Sequence, residues 1–210
     1  MEQQGLYDPA HEHDSCGVGF VVDVQGRKSH TIVRKALQVL INLLHRGACG
    51  CEPNTGDGAG ILVQMPDKLL RRECARLGLT LPPAGQYGAG LVFLPREPRQ
   101  ADKVRALLHS IVEEEGQRLL GWRDVPTDDG RLGASARSVE PTIKQVFVGR
   151  GPGIHDRAAF ERKLYVIRRL FEKAMIGLDI PDRTFAYVPS LSCNTLIYKG
   201  MLSADQIEPM

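Results

Sequence analysis

The stretch that most constrains this chain lies near its start, where a cysteine precedes an apolar run at residues 17–24. Glycines interrupt the run, and a short apolar run of this length that ends in turn residues is typical of a buried β-strand. Glycine within a strand lets a ligand or another backbone approach closely. The sequence therefore predicts a buried strand that carries Cys16 at its head, with space beside the sulfur.

The rest of the chain alternates between helical and extended patterns. Apolar residues recur at every third and fourth position in four segments, which predicts helices at residues 32–44, 67–77, 101–115 and 156–176. Ser29 or Thr31 would cap the first of these, which carries so much apolar surface that we expect it between layers. Strands are predicted at residues 61–65, 87–94, 119–125, 142–148, 185–189 and 193–199, the last two joined as a hairpin. This order predicts a mixed α/β or α+β domain.

Composition excludes several classes of protein. Apolar residues make up 42% of the 210 residues, and the net charge of +2 is spread along the chain, which argues against a nucleic-acid partner. The longest apolar stretch, residues 32–44, is shorter than the ~20 residues of a membrane span. Residues 1–15 contain four acids and no apolar core, unlike a secretory signal. The five cysteines are an odd number, in a chain large enough not to need a disulfide framework. We therefore expect a reducing compartment and a cytoplasmic protein.

Two interpretations compete for Cys16. A cysteine within an apolar strand is usually a small core residue. Removal of a leader at residues 1–15 would instead give Cys16 a free α-amino group, which is a base near neutral pH. One residue would then supply both a nucleophile and its general base, and no histidine would be needed.

Arg46 and Gly47 follow the first predicted helix, and Gly47 stands where a left-handed helix cap would fall. Arg46 could be a solvated charge at a helix end. It could also face the cysteine, because glycine permits close backbone approach and a guanidinium can bind a carboxylate through two hydrogen bonds.

Other motifs give weaker indications. The glycine cluster at residues 56–60 precedes a strand, whereas a phosphate-binding loop follows one, and the cluster at residues 149–153 lacks a Walker lysine. Cys49 and Cys51 near His45, or His11 and His13 near Cys16, offer soft metal ligands, but no second ligand pair has the spacing of a zinc site. The remaining cysteines, Cys74 and Cys193, are predicted to be structural.

Taken together, these motifs resemble a known family in the same order along the whole chain. They read DSCGVGF at 14–20, LHRGA at 44–48, TGDGAGIL at 55–62, EPTIKQVF at 140–147 and SLSCNTLIYKGML at 190–202. They are similar to the start of the class II glutamine amidotransferase domain of the large (alpha) subunit of glutamate synthase. The resemblance implies glutamate biosynthesis, ammonia assimilation and nitrogen metabolism.

The resemblance implies an α+β fold of the N-terminal-nucleophile hydrolase type, a four-layer αββα sandwich that would be incomplete in this chain. It also implies removal of a leader at residues 1–15, with residues 16–210 forming the amino-terminal half of the domain. Cys16 would attack the side-chain amide of L-glutamine, and Arg46 and Gly47 would help to position nucleophile and substrate. The ammonia would serve reductive amination of 2-oxoglutarate in later domains.

The resemblance also sets limits on this chain. Family members continue into an Arg-Phe-Ser-Thr-Asn-Thr-like motif and then a His-Asn-Gly-Glu motif, the second of which supplies the oxyanion hole. Neither motif occurs in these 210 residues. We therefore expect a fragment or a truncated gene product that is nearly inactive alone, with exposed apolar surface. FMN and an iron–sulfur cluster are implied for the parent enzyme only, and partners would be its remaining domains and possibly its small subunit. Two alternatives stay open, a non-catalytic module that docks on synthase partners and a metal site at Cys49 and Cys51.

Overall fold

The computed structural model describes residues 16–47 and 52–208. Its helices are α1 (His30–Asn42), α2 (Asp67–Arg76), α3 (Pro98–Glu114), α4 (Ala134–Ser138) and α5 (Arg157–Gly177). Its strands are β1 (Ala59–Gln64), β2 (Tyr87–Leu94), β3 (Arg118–Asp124), β4 (Thr142–Gly149) and β5 (Thr195–Gly200). Short 3-10 turns lie at Leu44–Arg46, Arg183–Phe185 and Ala204–Gln206. This mixture of helix and sheet is compatible with the expected fold.

An antiparallel sheet of three strands, in the order β2-β4-β3, forms the centre of the domain. β4 pairs with β2 from Thr142 opposite Leu94 to Gly149 opposite Tyr87, and it pairs with β3 on its other edge. Every residue of β2 is buried. All three strands were predicted from the sequence to within one residue at each end.

Helices α3 and α5 cover one face of this sheet. The apolar side of α5 is fully buried, as are the side chains of β2 and β4 that it meets, and these residues are Phe160, Leu164, Ile167, Phe171, Val92, Leu94, Val146 and Val148. The carboxylate of Asp156 caps α5 by accepting a hydrogen bond from the Ala159 amide at 2.7 Å, as predicted. The interior of the domain therefore lies between this sheet and these two helices.

The opposite face of the sheet meets two different neighbours. α2 packs Leu70 and Cys74 against Tyr87 and Phe147 at one end. At the other end Leu91 and Phe93 line an apolar cleft of about 330 Å³, which β5 borders from the far side. The second sheet thus lies across the cleft from the first.

The second sheet has two strands, and it corrects the predicted hairpin of residues 185–189 and 193–199. β5 pairs with β1, from Gly200 opposite Ala59 to Thr195 opposite Gln64. Tyr187 and Ser192 instead form bridges to Phe93 and Ala89 at the free edge of β2. Because that edge offers unpaired backbone groups, it captures the segment before β5 and leaves β5 to pair with β1.

The strand predicted at residues 17–24 is wrong. Residues 16–23 form no helix or strand, and large side chains of this segment face solvent, with Val18 86%, Phe20 87% and Val22 68% exposed. Gly17 and Gly19 lie on the side of α1, where side chains of the helix fill the space above them. The glycines therefore make room for a helix rather than for a ligand.

Helix α1 begins after Ser29, as predicted, although the Ser29 side chain makes no capping hydrogen bond. It contacts β1 and the Ala204–Gln206 turn, but none of its side chains is buried, so the expectation of a helix between two layers is wrong for the described residues. The apolar stripe of α1 is partly covered by residues 16–19, by β1 and by the Ala204–Gln206 turn. Among the described residues, no helix has the length and apolar character needed to cross a membrane.

Candidate active site

Cys16 lies at the carboxyl end of α1. Its thiol is free and its side chain is exposed. The next residue, Gly17, sits so close to α1 that a Cβ on it would be 3.3 Å from the Cβ of Leu43. Leu43 is the residue that ends α1 and begins the Leu44–Arg46 turn. The backbone of residues 16–19 therefore runs along the last turns of the helix, with the cysteine at its end.

Arg46 and Gly47 follow directly from this helix end. The Arg46 amide donates to the Leu43 carbonyl at 2.9 Å, and the Gly47 amide donates to the Leu44 carbonyl at 3.1 Å. Gly47 is extended, with φ −87° and ψ 157°, so the predicted left-handed cap is wrong. A 3-10 turn ends the helix instead. Cys16, Arg46 and Gly47 therefore lie near the carboxyl end of α1, where Leu43 contacts Gly17 and accepts a hydrogen bond from the Arg46 amide.

The glycine-rich turn before β1 lies beside Gly47. A Cβ at Gly47 would be 3.7 Å from Oδ1 of Asp57, an ordinary contact distance. Gly58 adopts φ +133°, which only glycine accepts without strain. Gly56 is buried against the backbone of Leu202 and Ser203, and any side chain there would overlap it. This turn therefore requires its glycines for backbone packing.

A carboxylate fixes the start of this turn. Oε1 of Glu52 accepts hydrogen bonds at 2.6 Å from the Thr55 hydroxyl and at 2.6 Å from the Ser135 amide at the start of α4. The Thr55 hydrogen bond, followed by the Ser135 amide, lowers the pKa of Glu52 below its ordinary value. Because α4 was not predicted, this link between residues 52–55 and α4 was missed.

Gln206 holds the same turn from the other side. Its side-chain amide donates to the carbonyls of Asn54 at 3.0 Å and Arg131 at 2.8 Å, and its Oε1 accepts from the Ser203 amide at 2.9 Å. The side chain is buried, and every polar group on it is satisfied. Nothing in the sequence around Gln206 indicates this role.

Comparison with known proteins identifies the family of this chain. The model for class II glutamine amidotransferases matches residues 16–210, a match whose first residue is Cys16.

The chain belongs to the class II glutamine amidotransferases.

Its similar relatives include several glutamate synthases. It is 42% identical over 207 residues to "Glutamate synthase [NADPH] large chain" of Bacillus subtilis (strain 168), covering 98% of this chain and 13% of the relative. It is 40% identical to "Glutamate synthase [NADH]" of Schizosaccharomyces pombe, covering 97% and 10%. It is 37% identical to "Ferredoxin-dependent glutamate synthase 2" of Synechocystis, covering 91% and 12%. The resemblance to the glutamine amidotransferase domain of glutamate synthases is thereby confirmed. The chain spans about an eighth or less of the length of these relatives.

The described residues offer no ligand set for a metal cluster. No group of three or more His, Cys, Asp or Glu side chains within residues 16–47 and 52–208 is arranged to hold a metal ion. The proposed ligands Cys49 and Cys51, and His11 and His13, lie outside the described residues.

The two other described cysteines are buried, which agrees with structural roles. Cys74 is fully buried in α2, and Cys193 is 1% exposed just before β5. The Cys193 thiol donates to Glu161 at 3.0 Å, and burial together with this carboxylate raises the pKa of the thiol to about 11. A thiol with so high a pKa is a poor nucleophile, which leaves Cys16 as the exposed thiol among the described residues.

Proposed function

We propose that this chain is the glutamine-hydrolysing part of a glutamate synthase and that Cys16 is its nucleophile. One observation carries the proposal, namely that the match to class II glutamine amidotransferases begins at Cys16. Residues 1–15 would be a leader whose removal gives Cys16 a free α-amino group. The exposure of the thiol supports this role, since a nucleophile must reach its substrate.

The reaction would proceed in two steps through a thioester. The α-amine of Cys16 takes the proton of the thiol, and the sulfur attacks the side-chain carbonyl carbon of L-glutamine. Collapse of the tetrahedral intermediate breaks the C–N bond, and the departing nitrogen takes the proton and leaves as ammonia. Water then attacks the γ-glutamyl thioester, which releases glutamate and restores the thiol.

Arg46 and Gly47 would position the substrate. Arg46 extends from the Leu44–Arg46 turn next to the segment that carries Cys16, and its guanidinium suits a carboxylate such as that of glutamine. Gly47 lies open on the side that faces Asp57, where a Cβ would meet only two atoms within 4 Å. A small residue here keeps the backbone accessible between the two loops.

The wider context is also part of the proposal. The two sheets described here would belong to a four-layer αββα sandwich whose remaining parts lie elsewhere in a synthase polypeptide. The ammonia would be used there for reductive amination of 2-oxoglutarate, with FMN and an iron–sulfur cluster held by other domains and with a small subunit as a further partner. We place this activity in the cytoplasm.

The test compares Cys16→Ala with the parent sequence, both expressed within a glutamate synthase polypeptide. Glutamine-dependent glutamate formation should fall to background in the variant, while ammonia-dependent formation should persist because the later domains are unchanged. Retention of glutamine-dependent formation would refute Cys16 as nucleophile. If both sequences associate with synthase domains and neither hydrolyses glutamine, the chain is a docking module without catalysis.

A further inference from the structure

A second pocket lies between α5 and the segment that leads into β5. Its volume is about 330 Å³. The polar and charged residues discussed below line it, namely Glu161, Arg162, Arg168, Ser190, Ser192 and Thr195. Thr195 pairs with Gln64, whereas Gly200 at the other end of β5 pairs with Ala59, next to the glycine-rich turn. Five residues of extended strand span about 17 Å. This pocket, the α5 pocket, is therefore separate from the candidate active site.

One wall of the α5 pocket contains a buried hydroxyl without a partner. Ser190 is 8% exposed, and its Oγ makes no hydrogen bond to any described residue. A buried hydroxyl left unpaired costs about 1–3 kcal/mol, so such groups usually face a ligand or water. Its neighbour Ser192 is occupied, since Ser192 Oγ donates to Glu161 Oε1 at 2.6 Å. Ser190 is thus the available hydroxyl donor of this wall.

The opposite wall, on α5, carries two arginines and one glutamate. Arg162 is exposed and makes no hydrogen bond or ion pair within the described part of the chain. The guanidinium of Arg168 donates to the Pro189 carbonyl at 2.8 Å, which holds it over the segment that carries Ser190, and its Nε lies 3.4 Å from Oε1 of Glu172 in an ion pair. The carboxylate of Glu161 also lines the pocket, and its two oxygens accept from Ser192 Oγ and from the Cys193 amide at 2.8 Å. The lining therefore carries two guanidiniums, one carboxylate and the unpaired Ser190 hydroxyl.

We propose that the α5 pocket binds a small oxyanion, a carboxylate or a phosphate. Arginine and serine are the side chains that pair with such groups, through charge-assisted hydrogen bonds to the anion oxygens. The volume lies at the lower end of the range for small-molecule sites, so the ligand is a compact metabolite rather than a nucleotide. The proposal does not depend on the function of Cys16.

The test is an NMR titration of the full 210-residue chain with sodium phosphate and, separately, with sodium glutarate, a five-carbon dicarboxylate. Sodium chloride keeps the ionic strength constant. Saturable shifts of the Ser190, Ser192 and Thr195 amides with either probe support the proposal, and the probe that binds assigns the class of anion. Shifts that do not saturate with either probe, or that spread over all basic surfaces, overturn it.

Three variants make the test specific. Ser190→Ala and Arg162→Gln should each raise the dissociation constant of the probe by at least about fivefold. This factor corresponds to the loss of one hydrogen bond worth about 1 kcal/mol. Lys173→Gln is the matched control, because Lys173 is exposed on the same helix and does not line the pocket. Its affinity should stay within about twofold of the parent. Equal affinities for parent and Ser190→Ala would overturn the proposal.

Ser190→Ala also has a stability readout. Because the hydroxyl has no partner to lose, the variant should unfold at the same or a higher temperature without the anion, and it should gain less from added anion than the parent. A clear loss of stability without anion would show that the hydroxyl serves the fold, which would contradict the proposal.

Discussion

Gly19 lies against Val39 of α1 so closely that a Cβ on the glycine would overlap a methyl group of the valine. Together with the contact between Gly17 and Leu43, this packing attaches residues 16–23 to the helix and brings Cys16 to its carboxyl end. The glycines of the first motif thus determine where the candidate nucleophile sits.

Gly19→Ala should therefore loosen this segment. We expect the free energy of unfolding to fall by about 1 kcal/mol, the lower end of the cost of overpacking, since the segment can move outward. Val39→Ala in the same chain should restore much of the loss by vacating the space. Gly153→Ala is the control, because a Cβ added at Gly153 would meet no atom within 4 Å beyond its chain neighbours. Urea unfolding of Gly19→Ala that matches this control would contradict the described packing.

The exposed apolar side chains Val18, Phe20 and Val22 should be replaceable without loss of stability. Phe20 is 87% exposed, so Phe20→Ser should change the free energy of unfolding by less than about 0.5 kcal/mol. It should also reduce binding of the dye 8-anilinonaphthalene-1-sulfonate, which reports apolar surface. By contrast, Phe171→Ala in the buried face of α5 should cost about 3–5 kcal/mol. A comparable loss for both variants would mean that Phe20 is buried in solution.

Gln206 should stabilise the glycine-rich turn through its hydrogen bonds. Gln206→Ala leaves the Asn54 and Arg131 carbonyls without this donor, and we expect a loss of about 1–3 kcal/mol in urea unfolding. Gln206→Glu keeps the shape of the side chain and its acceptor but not its donor, so it should lose a similar amount. Gln25→Ala, at an exposed turn, should have no effect. An unchanged free energy of unfolding in Gln206→Ala would show that the turn does not depend on these hydrogen bonds.

The pKa of Cys193 predicts a dependence of stability on pH. Burial and Glu161 raise this pKa from 9.0 to about 11, so the folded state keeps a proton that the unfolded state has lost. The stabilisation is fully present below about pH 9 and is lost as the pH rises through about 11. Cys193→Ala should flatten the fall in unfolding free energy in this window by up to ~1.4 kcal/mol per pH unit. An unchanged slope in Cys193→Ala would contradict the raised pKa.

Much of the central sheet could be predicted from local sequence pattern. β2 is a continuous apolar run, β4 ends in the apolar run 146–148, and α5 carries an apolar stripe behind the N-cap Asp156. In such segments local preference and tertiary burial agree. The predicted positions and the observed ones therefore differ by a residue or so.

The errors concern segments whose partners are distant in sequence. The run at residues 17–24 has strand composition, but it packs its glycines on α1 and pairs with no strand among the described residues. Serines suit a turn, which favours a hairpin between the strands predicted at residues 185–189 and 193–199. Tyr187 instead stacks on Phe93 with ring centroids 4.6 Å apart and joins the edge of β2. Pairing of strands is decided by which edge is free, and local pattern does not encode this.

The candidate site was predicted in part. Cys16, Arg46 and Gly47 were identified from their motifs, and the structure brings them to one end of α1 through Leu43. The side chains that support the neighbouring turn, Glu52 and Gln206, were missed because their hydrogen bonds reach across 75 to 152 residues of sequence. The catalytic roles themselves stay predictions.

The most direct test of the central claim is the intact mass of the protein in a sample that hydrolyses glutamine. The chain is expressed with residues 1–15 within a glutamate synthase polypeptide, and the mass and the glutamine-dependent activity are measured on the same preparation. The proposal predicts an amino terminus at Cys16 and a single adduct of 6-diazo-5-oxo-L-norleucine on that residue, with the buried Cys74 and Cys193 unlabelled. Full activity in protein that retains Met1, or labelling that persists in Cys16→Ala, would contradict it.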